Sequence, residues 1–320
     1  MKDNYGRNID YMRLSITDRC NMRCRYCMPD GIEKISMSEI LSYEEILRVA
    51  EAATGLGITK FRVTGGEPLV RLGCPSFINE LKALPGVEHV SITTNGMELA
   101  KYIDELRDAK VDAVNISLDT MDAEKFRYIT QCGDLDKVME GLHSSASSGI
   151  KTRINCVPQK HLNEDEIRDF AKLAFELGID VRFIEMMPVG IASSDEGVSN
   201  EQILATLKET YPALAPDERV HGYGPAVYYH IEGEKGGIGF ISAIHGKFCD
   251  KCNRLRLTSQ GLIKPCLSYE DAVDVRPALS GSIEDIAALI RQAILNKPKE
   301  HCFDSQNDNI ERRPMSEIGG

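Results

Sequence analysis

The first 190 residues alternate short apolar runs, each of the length of a β-strand, with amphipathic segments of the length of a helix. The runs at 60–64, 89–94 and 113–119 are rich in β-branched residues, which is typical of buried strands. About six such repeats make right-handed βαβ units around a parallel sheet. The pattern predicts an α/β fold with a barrel or partial barrel, whose chemistry lies at the C-terminal ends of the strands.

The pattern changes after residue 190. One helix-like segment at 200–211 precedes β-like runs at 226–231 and 237–244, and a hairpin-like stretch follows at 254–259. We therefore expect two regions: a partial (β/α)6 barrel over residues 1–190, and an α+β extension over residues 191–320 that closes the barrel.

Composition narrows the function classes. The chain has 320 residues and a net charge of −11, which argues against binding to nucleic acid or a membrane surface. It contains no apolar run long enough to span a membrane and does not start with an apolar secretion signal, so we expect a cytoplasmic protein. In that compartment its ten cysteines favour metal or redox chemistry over disulfides.

Three cysteines, Cys20, Cys24 and Cys27, follow the first apolar run with the spacing C-x₃-C-x₂-C. Three thiolates on one short loop can hold three irons of a cubic iron–sulfur cluster and leave the fourth iron open for a small molecule. The alternative is a structural zinc site that lacks one ligand, but the next cysteine along the chain is the distant Cys74.

A second group of cysteines, Cys249, Cys252 and Cys266, has the spacing C-x₂-C-x₁₃-C. A hairpin between them would bring Cys266 back beside the pair. Both a cluster with one open iron and a zinc site with His245 as the fourth ligand fit this spacing. Arg254 and Arg256 lie between the cysteines, on one face of a strand, where they could grip a phosphate or a carboxylate.

The segment at 17–29 and the Gly-Gly-Glu-Pro loop at 65–68 resemble the signature motifs of the radical S-adenosylmethionine enzymes. Four further segments, at 6–13, 91–96, 115–119 and 182–185, resemble the branch of that family that cyclises GTP in the first step of molybdenum-cofactor biosynthesis. The C-terminal Gly319-Gly320 pair is similar too. The resemblance runs from about residue 5 to residue 320.

The resemblance implies two 4Fe–4S clusters. The first, on Cys20, Cys24 and Cys27, binds S-adenosylmethionine, and the second, on Cys249, Cys252 and Cys266, binds the guanine edge of GTP. It also implies the site residues. Those for S-adenosylmethionine are Tyr26, Gly66, Glu67, Ser117 and Met187. Those for GTP are Arg13, Lys60, Arg62, Thr93, Lys160, Arg182, Arg254 and Arg256. The residues implied in catalysis are Arg254, Arg256, Gly319 and Gly320.

The implied reaction begins when a 5′-deoxyadenosyl radical takes hydrogen from C3′ of GTP. C3′ then bonds to C8, giving 3′,8-cyclo-7,8-dihydro-GTP after one more electron and proton. The implied partners are an external one-electron reductant and a downstream cyclic pyranopterin monophosphate synthase, together with a second copy of the chain in a homodimer.

Two other interpretations stay open at this point. A different two-cluster radical enzyme, acting on a peptide or another small molecule, would carry the same first motif. A zinc-stabilised nucleic-acid-binding module would need a basic surface and no Gly-Gly-Glu-Pro loop. The chain also departs from the family at 71–74, where two adjacent arginines and an acidic residue are usual and Arg-Leu-Gly-Cys stands instead; we expect altered packing at the start of the next helix.

Overall fold

The computed structural model describes residues 1–28, 31, 35–190, 192, 196–303, 310–315 and 317–318. Within this part of the chain, twelve strands form one sheet. The strands are β1 (Tyr11–Ser15), β2 (Lys60–Thr64), β3 (His89–Thr94), β4 (Ala113–Ser117), β5 (Lys151–Cys156), β6 (Asp180–Ile184), β7 (Ala215–Asp217), β8 (Val227–His230), β9 (Gly237–Ile241), β10 (Arg254–Leu257), β11 (Leu262–Lys264) and β12 (Val273–Asp274).

Eight α-helices accompany these strands in the described residues. They are α1 (Tyr43–Gly55), α2 (Cys74–Ala83), α3 (Leu99–Asp108), α4 (Ala123–Thr130), α5 (Leu135–Ser147), α6 (Ile167–Leu177), α7 (Asn200–Thr210) and α8 (Ile283–Leu295). None of these helices is long and apolar enough to cross a membrane.

The strands β1 to β6 are parallel and lie in chain order, each joined to the next through a helix. This arrangement confirms the predicted α/β fold with a parallel sheet. The later strands extend the sheet at both ends: β9 pairs in parallel with β6, and β10 pairs in parallel with β1. The C-terminal region therefore flanks the barrel on two sides.

Local sequence signals start the helices where the periodicity predicts them. Ser42 Oγ accepts a hydrogen bond from the Glu45 backbone N–H, and the Glu45 carboxylate accepts one from the Ser42 N–H, at 3.2 and 2.7 Å. This reciprocal capping satisfies backbone donors that the first turn of α1 would otherwise leave without partners. The sequence at Ser42–Glu45 therefore accounts for the start of α1.

The core lies between the sheet and its outer helices. Phe61 on β2, Phe77 on α2, Phe170 on α6 and Phe183 on β6 are fully buried, and each contributes about 1.5–3 kcal/mol through burial. Because this layer fixes the strands firmly, the loops at the strand ends can carry ligands on a rigid base.

One helix beside the barrel escaped sequence analysis. The helix α4 begins at a cap in which the Asp122 carboxylate accepts from two backbone N–H groups at 2.9 Å. It spans only eight residues and buries few apolar side chains, so its periodic signal is weak. Its C-terminal carbonyls accept hydrogen bonds from the backbone N–H groups of Arg23 and Arg25, both at 3.0 Å. It thus supports the first cysteine loop.

Candidate active site

The first cysteine triad follows β1 and lines a small cavity together with Gly65, Gly66 and Met315. Burial raises the pKa of the Cys24 thiol well above its usual range, and the neighbouring Cys27 and Asp119 raise it further. A thiolate here needs a positive charge beside it, which iron ions supply. Three soft ligands around a cavity with apolar walls fit the iron–sulfur cluster that the spacing suggested.

The Gly-Gly-Glu-Pro loop, at the C-terminal end of β2, binds the start of the cysteine loop backbone to backbone. The Gly66 N–H donates to the Thr17 carbonyl, and the Glu67 N–H donates to the Arg19 carbonyl, both at 2.7 Å. A Cβ on Gly66 would stand 2.3 Å from the Arg19 oxygen, and one on Gly65 would stand 2.6 Å from the Thr17 oxygen. The glycines therefore make room for the main chain of the cysteine loop, and the implied contact of Gly66 with S-adenosylmethionine stays a prediction.

The Glu67 carboxylate, expected at the cofactor, points into the protein and is 1% exposed. It accepts hydrogen bonds from the Leu69 N–H at 3.0 Å, the Thr94 hydroxyl at 2.8 Å and the Asn95 N–H at 2.6 Å. Burial raises the pKa of Glu67 to about 7. Asn95 Nδ2 in turn donates to Asn21 within the cysteine loop, so Glu67 acts on the first triad through its neighbours.

Tyr26, the aromatic residue before Cys27, is tied to the barrel. Its hydroxyl donates to Asp119 Oδ2 at 2.6 Å, and Asp119 Oδ1 accepts from the Val157 N–H at 2.8 Å. Burial raises the pKa of both side chains, the tyrosine's well above its usual range. The cysteine loop is thereby held on the strand ends of β4 and β5.

The second cysteine triad is assembled from two chain segments, which two buried cations hold together. Arg7 donates to the carbonyls of Cys249, Lys299 and Pro298 at 2.6–3.0 Å. Lys297 Nζ donates to the carbonyls of Arg254 and Pro265 at 2.9 and 2.6 Å. The residues before β10 and after β11 are thus clamped beside each other.

The charges around this triad suit thiolate ligands. Burial opposes ionisation of Cys252, but Arg254 and Lys297 outweigh it and lower the pKa of that thiol to about 6. In the described part of the chain no group of three or more Cys, His, Asp or Glu converges on a single metal ion. In a cluster each thiolate binds a different iron, so separated sulfurs fit a cluster.

His245, the candidate fourth zinc ligand, points elsewhere. Its Nδ1 lies 3.2 Å from Glu185 Oε1, and its side chain is 70% exposed. The pocket that holds the second triad does not include it. The geometry therefore favours the cluster over zinc at this site.

The second triad lies among many cations. One pocket contains its three sulfur-bearing side chains and seven cationic ones, and none of the described lining residues is Asp or Glu. The cations are Arg13, Arg62, Arg153, Arg182, Arg254, Arg256 and Lys297. We call this cavity the arginine pocket.

The register of the sheet explains the arginine pocket. Arg13 on β1 pairs with Arg62 on β2 and with Arg256 on β10, so three guanidinium groups project from adjacent strands. Burial lowers the pKa of Arg256 to about 10. Burial also lowers the pKa of Arg13 well below its usual value, and the neighbouring arginines lower it further. Both stay charged at neutral pH. Grouping these cations in a buried pocket costs free energy through repulsion and desolvation, even in a chain with a net charge of −11. An anionic ligand would offset this cost.

A small apolar cluster separates the two cysteine sites. It contains Val189, Leu267 and Ile318, with Met187, Phe303 and Met315 packed against them. Met187 and Leu267 line the arginine pocket, whereas Met315 lines the first cavity. The C-terminal segment therefore forms part of the wall between the sites, and Ile318 is 0% exposed. Gly319 and Gly320 lie outside the described residues.

Comparisons with known proteins agree with this geometry. The chain matches the model of the Radical SAM superfamily over residues 14–174, and that of Molybdenum Cofactor Synthesis C over residues 179–303. It is 41% identical to a GTP 3′,8-cyclase of Clostridium perfringens (strain SM101 / Type A) and 43% identical to one of Alkaliphilus oremlandii (strain OhILAs), over 100% of both chains in each case. The chain belongs to the GTP 3′,8-cyclase family.

Solved structures support the fold. Streptococcus suis SuiB, bound to S-adenosylmethionine, matches with a TM-score of 0.62 and 15% identity. The match covers 87% of this chain and 65% of the SuiB chain, so the chain spans just under two thirds of SuiB. At this identity the likeness shows the partial-barrel fold alone, which confirms the predicted fold class.

Among the residues that the family resemblance implied, the arginine pocket brings together Arg13, Arg62, Arg182, Arg254, Arg256 and Met187. The others lie elsewhere. Lys60 pairs with Asp10 at 2.6 Å, and Lys160 lies in a different cavity beside Tyr26. Ser117 is exposed at the end of β4. Thr93 Oγ1, on β3, is buried and has no hydrogen-bond partner among the described groups, which fits contact with a bound molecule.

Sequence analysis missed three cations of this cyclase-family site. Arg153 lies two residues before Asn155 on β5, so strand alternation could have placed both on the pocket face. No comparable signal marks Arg7 or Lys297. Their partners are carbonyls far away in the sequence, and a sequence pattern does not reveal such contacts.

The departure at 71–74 keeps its arginine in a structural role. Arg71 donates to the carbonyls of Ile16 and Leu41, which ties the loop to the end of β1. Leu72 is 89% exposed, and Gly73, with φ +81°, starts α2 in a conformation that favours glycine. Altered packing relative to the family at this helix start stays a prediction.

Proposed function

We propose that the chain converts GTP to 3′,8-cyclo-7,8-dihydro-GTP with S-adenosylmethionine, the first step of molybdenum-cofactor biosynthesis. The observation that carries the proposal is the arginine pocket: seven cations and no described carboxylate around three thiols, inside a barrel whose opposite site has three more thiols. A nucleoside triphosphate has both the charge and the flat, nitrogen-rich base that this combination suits.

Cys20, Cys24 and Cys27 would hold the first cluster, which with S-adenosylmethionine supplies radical chemistry. The chain's own part is to hold the ligand loop still. The Gly65-Gly66 backbone, the Glu67 carboxylate and the Tyr26–Asp119 hydrogen bond each fix the loop to a different strand end. Fixed ligands keep the reacting atoms aligned, and alignment accounts for much of the rate in such sites.

Arg13, Arg62, Arg182, Arg254 and Arg256 would bind the phosphates and orient the ribose. Arg182 is aimed by hydrogen bonds to Asn155 Oδ1 at 2.8 Å and Asn115 Oδ1 at 2.6 Å, and so does not swing freely. Each charge-assisted bond to a phosphate contributes about 1.5–3 kcal/mol. Cys249, Cys252 and Cys266 would hold the second cluster against the base.

The apolar cluster around Ile318 excludes water from the space between the sites. A radical at C3′ must react within the substrate before it meets solvent, so a dry wall beside the ribose protects the reaction. The buried ion pair between Lys264 and Glu311 anchors the C-terminal segment that completes this wall, and the Glu311 N–H donates to the Ser268 carbonyl at 3.0 Å. We propose that Gly319 and Gly320, which lie outside the described residues, take part in catalysis.

The remaining parts of the proposal concern partners. The reaction consumes one electron to start and one to finish, so an external one-electron reductant must supply them. The product would pass to the cyclic pyranopterin monophosphate synthase, and we propose a cytoplasmic protein that can form a homodimer.

The experiment is anaerobic reconstitution with iron and sulfide, followed by addition of dithionite, S-adenosylmethionine and GTP. We expect 5′-deoxyadenosine to form only with GTP, together with a product of the same mass as GTP that separates from it in chromatography. Cleavage of S-adenosylmethionine that GTP does not affect would refute the assignment of GTP as the substrate.

A further inference from the structure

The loop between β7 and β8 closes the arginine pocket at the N-terminal end of the barrel. Residues 222–226 all line the pocket. The ring of Tyr223 lies against the first residues of β2 and β3, with its centroid 4.8 Å from Lys60 Nζ and 4.9 Å from the His89 ring. Lys60 and His89 are paired in register, so one tyrosine covers both strand starts. We call residues 221–226 the floor loop.

The floor loop is held in place by its first residue. His221 Nδ1 lies 3.0 Å from Asp180 Oδ1, and His221 Nε2 lies 2.8 Å from Asp217 Oδ2. Its ring stacks on Tyr228 at 3.9 Å between centroids, and its carbonyl accepts a hydrogen bond from Arg153. The loop is thus fastened to β5, β6, β7 and β8, which makes it a fixed wall of the pocket.

The floor loop offers hydrogen-bond donors that the protein leaves open. The backbone N–H groups of Gly222, Tyr223 and Gly224 have no acceptor among the described residues. The cations beside them already have carboxylates: Lys60 pairs with Asp10 at 2.6 Å, and Arg153 lies 3.4 Å from Asp180. Consecutive free N–H groups in a glycine-containing turn form a binding site for phosphate oxygens.

The positions of the two cysteine sites indicate which part of a nucleotide would meet this loop. Residues 222–224 line the same pocket as the second triad. A nucleotide whose base lies against that triad can therefore bring its phosphates to the open N–H groups of this loop.

We propose that the floor loop binds the terminal phosphate of the substrate and sets the number of phosphates that the pocket accepts. This inference rests on the proposed function, because it takes GTP as the molecule in the arginine pocket. Tyr223 is a positioning residue: its ring, pinned between Lys60 and His89, holds the turn whose N–H groups make the contact.

The test compares affinities for GTP, GDP and GMP in the reconstituted full-length protein, by anaerobic equilibrium dialysis without S-adenosylmethionine. For Tyr223→Ala we expect the affinity for GTP to fall about tenfold and that for GMP to stay unchanged, because charge-assisted bonds to the last phosphate are lost. Tyr223→Phe keeps the ring and should keep the wild-type preference. Tyr128→Ala is the matched control: Tyr128 is similarly exposed and has its own cation contact, with Arg25, outside the pocket.

Gly222→Ala provides a second test if Tyr223→Ala does not fold. A Cβ at this position would stand 3.2 Å from Arg153 Nη2, so it should shift the guanidinium that donates to the His221 carbonyl and thereby loosen the turn without removing a ring. It too should weaken GTP binding more than GMP binding. Equal losses for all three nucleotides, or none, would overturn the role of the floor loop. Wild-type protein that fails to prefer GTP over ATP would instead refute the proposed function.

Discussion

The two cysteine triads are built in opposite ways. Cys20, Cys24 and Cys27 lie on one continuous loop, which is fixed by backbone contacts from Gly66, Glu67 and the last turn of α4. The second triad joins two separate segments, and the side chains of Arg7 and Lys297 hold it through five backbone carbonyls. The first site depends chiefly on close backbone contacts that glycine permits, and the second depends on two particular side chains.

This difference follows from how each site forms. A loop whose ligands are close in sequence already has its thiols near one another. It needs only close backbone contacts to hold it in place, and glycine permits these contacts. The second triad spans a longer stretch, with thirteen residues between Cys252 and Cys266, so bringing its thiols together costs more chain entropy, which strong directional bonds help to offset. Substitutions that damage one site should therefore leave the other intact.

Gly66→Ala should have the largest effect. Its Cβ would meet the Arg19 carbonyl oxygen at 2.3 Å, and because that neighbour is backbone, the first cysteine loop must move. After reconstitution we expect about four iron atoms per chain to remain, all in the second site, and no cleavage of S-adenosylmethionine. The matched control is Gly55→Ala, where a Cβ has no neighbour within 4 Å. Full iron content in the Gly66 variant would show that the close contact between Gly66 and the Arg19 backbone is not needed to hold the first cluster.

Lys297→Met should have the opposite effect, with loss of iron from the second site and not from the first. Removing the ammonium leaves two buried carbonyls without donors, so the segments before β10 and after β11 separate. We expect loss of about four iron atoms from the second site, while the first site keeps its own iron. Lys297→Arg restores a donor and should recover part of the iron. Lys208→Met, on the exposed face of α7, is the control, and a similar loss there would remove the specific role of Lys297.

A smaller effect concerns only the first site: the free energy of unfolding should depend on pH through Glu67. Burial raises the pKa of Glu67 from 4.5 to about 7, so the folded chain binds this proton more tightly than the unfolded chain does. Stability is lost as the pH rises through this interval, by about 3 kcal/mol when the group is fully ionised. Urea unfolding of the metal-free chain at pH 5.5 and pH 8 should show this fall, and Glu67→Gln should flatten it. An unchanged slope in the variant would assign the fall to another group.

Local patterns predicted most of the strands and helices of the barrel, because alternating burial and helix caps act over a few residues. The same patterns placed Arg254 and Arg256 beside the second cysteines. They missed α4, whose eight residues bury little apolar surface. They did not predict the close backbone contact between Gly66 and Arg19, since this contact depends on the packing of two loops and leaves no mark in either one alone.

The pairing of β1 with β10 has a consequence for synthesis on the ribosome. Tyr11 pairs with Arg254, so one edge of β1 stays unpaired until β10, 243 residues later in the chain, has been synthesised. At ordinary rates of translation that wait lasts roughly 10 to 50 seconds. During this time the nascent chain has its first three thiols and the Gly65-Gly66 backbone that contacts their loop, while the second site does not yet exist. Iron and sulfide can thus reach the first loop from an open side, which the last strands to be made then close.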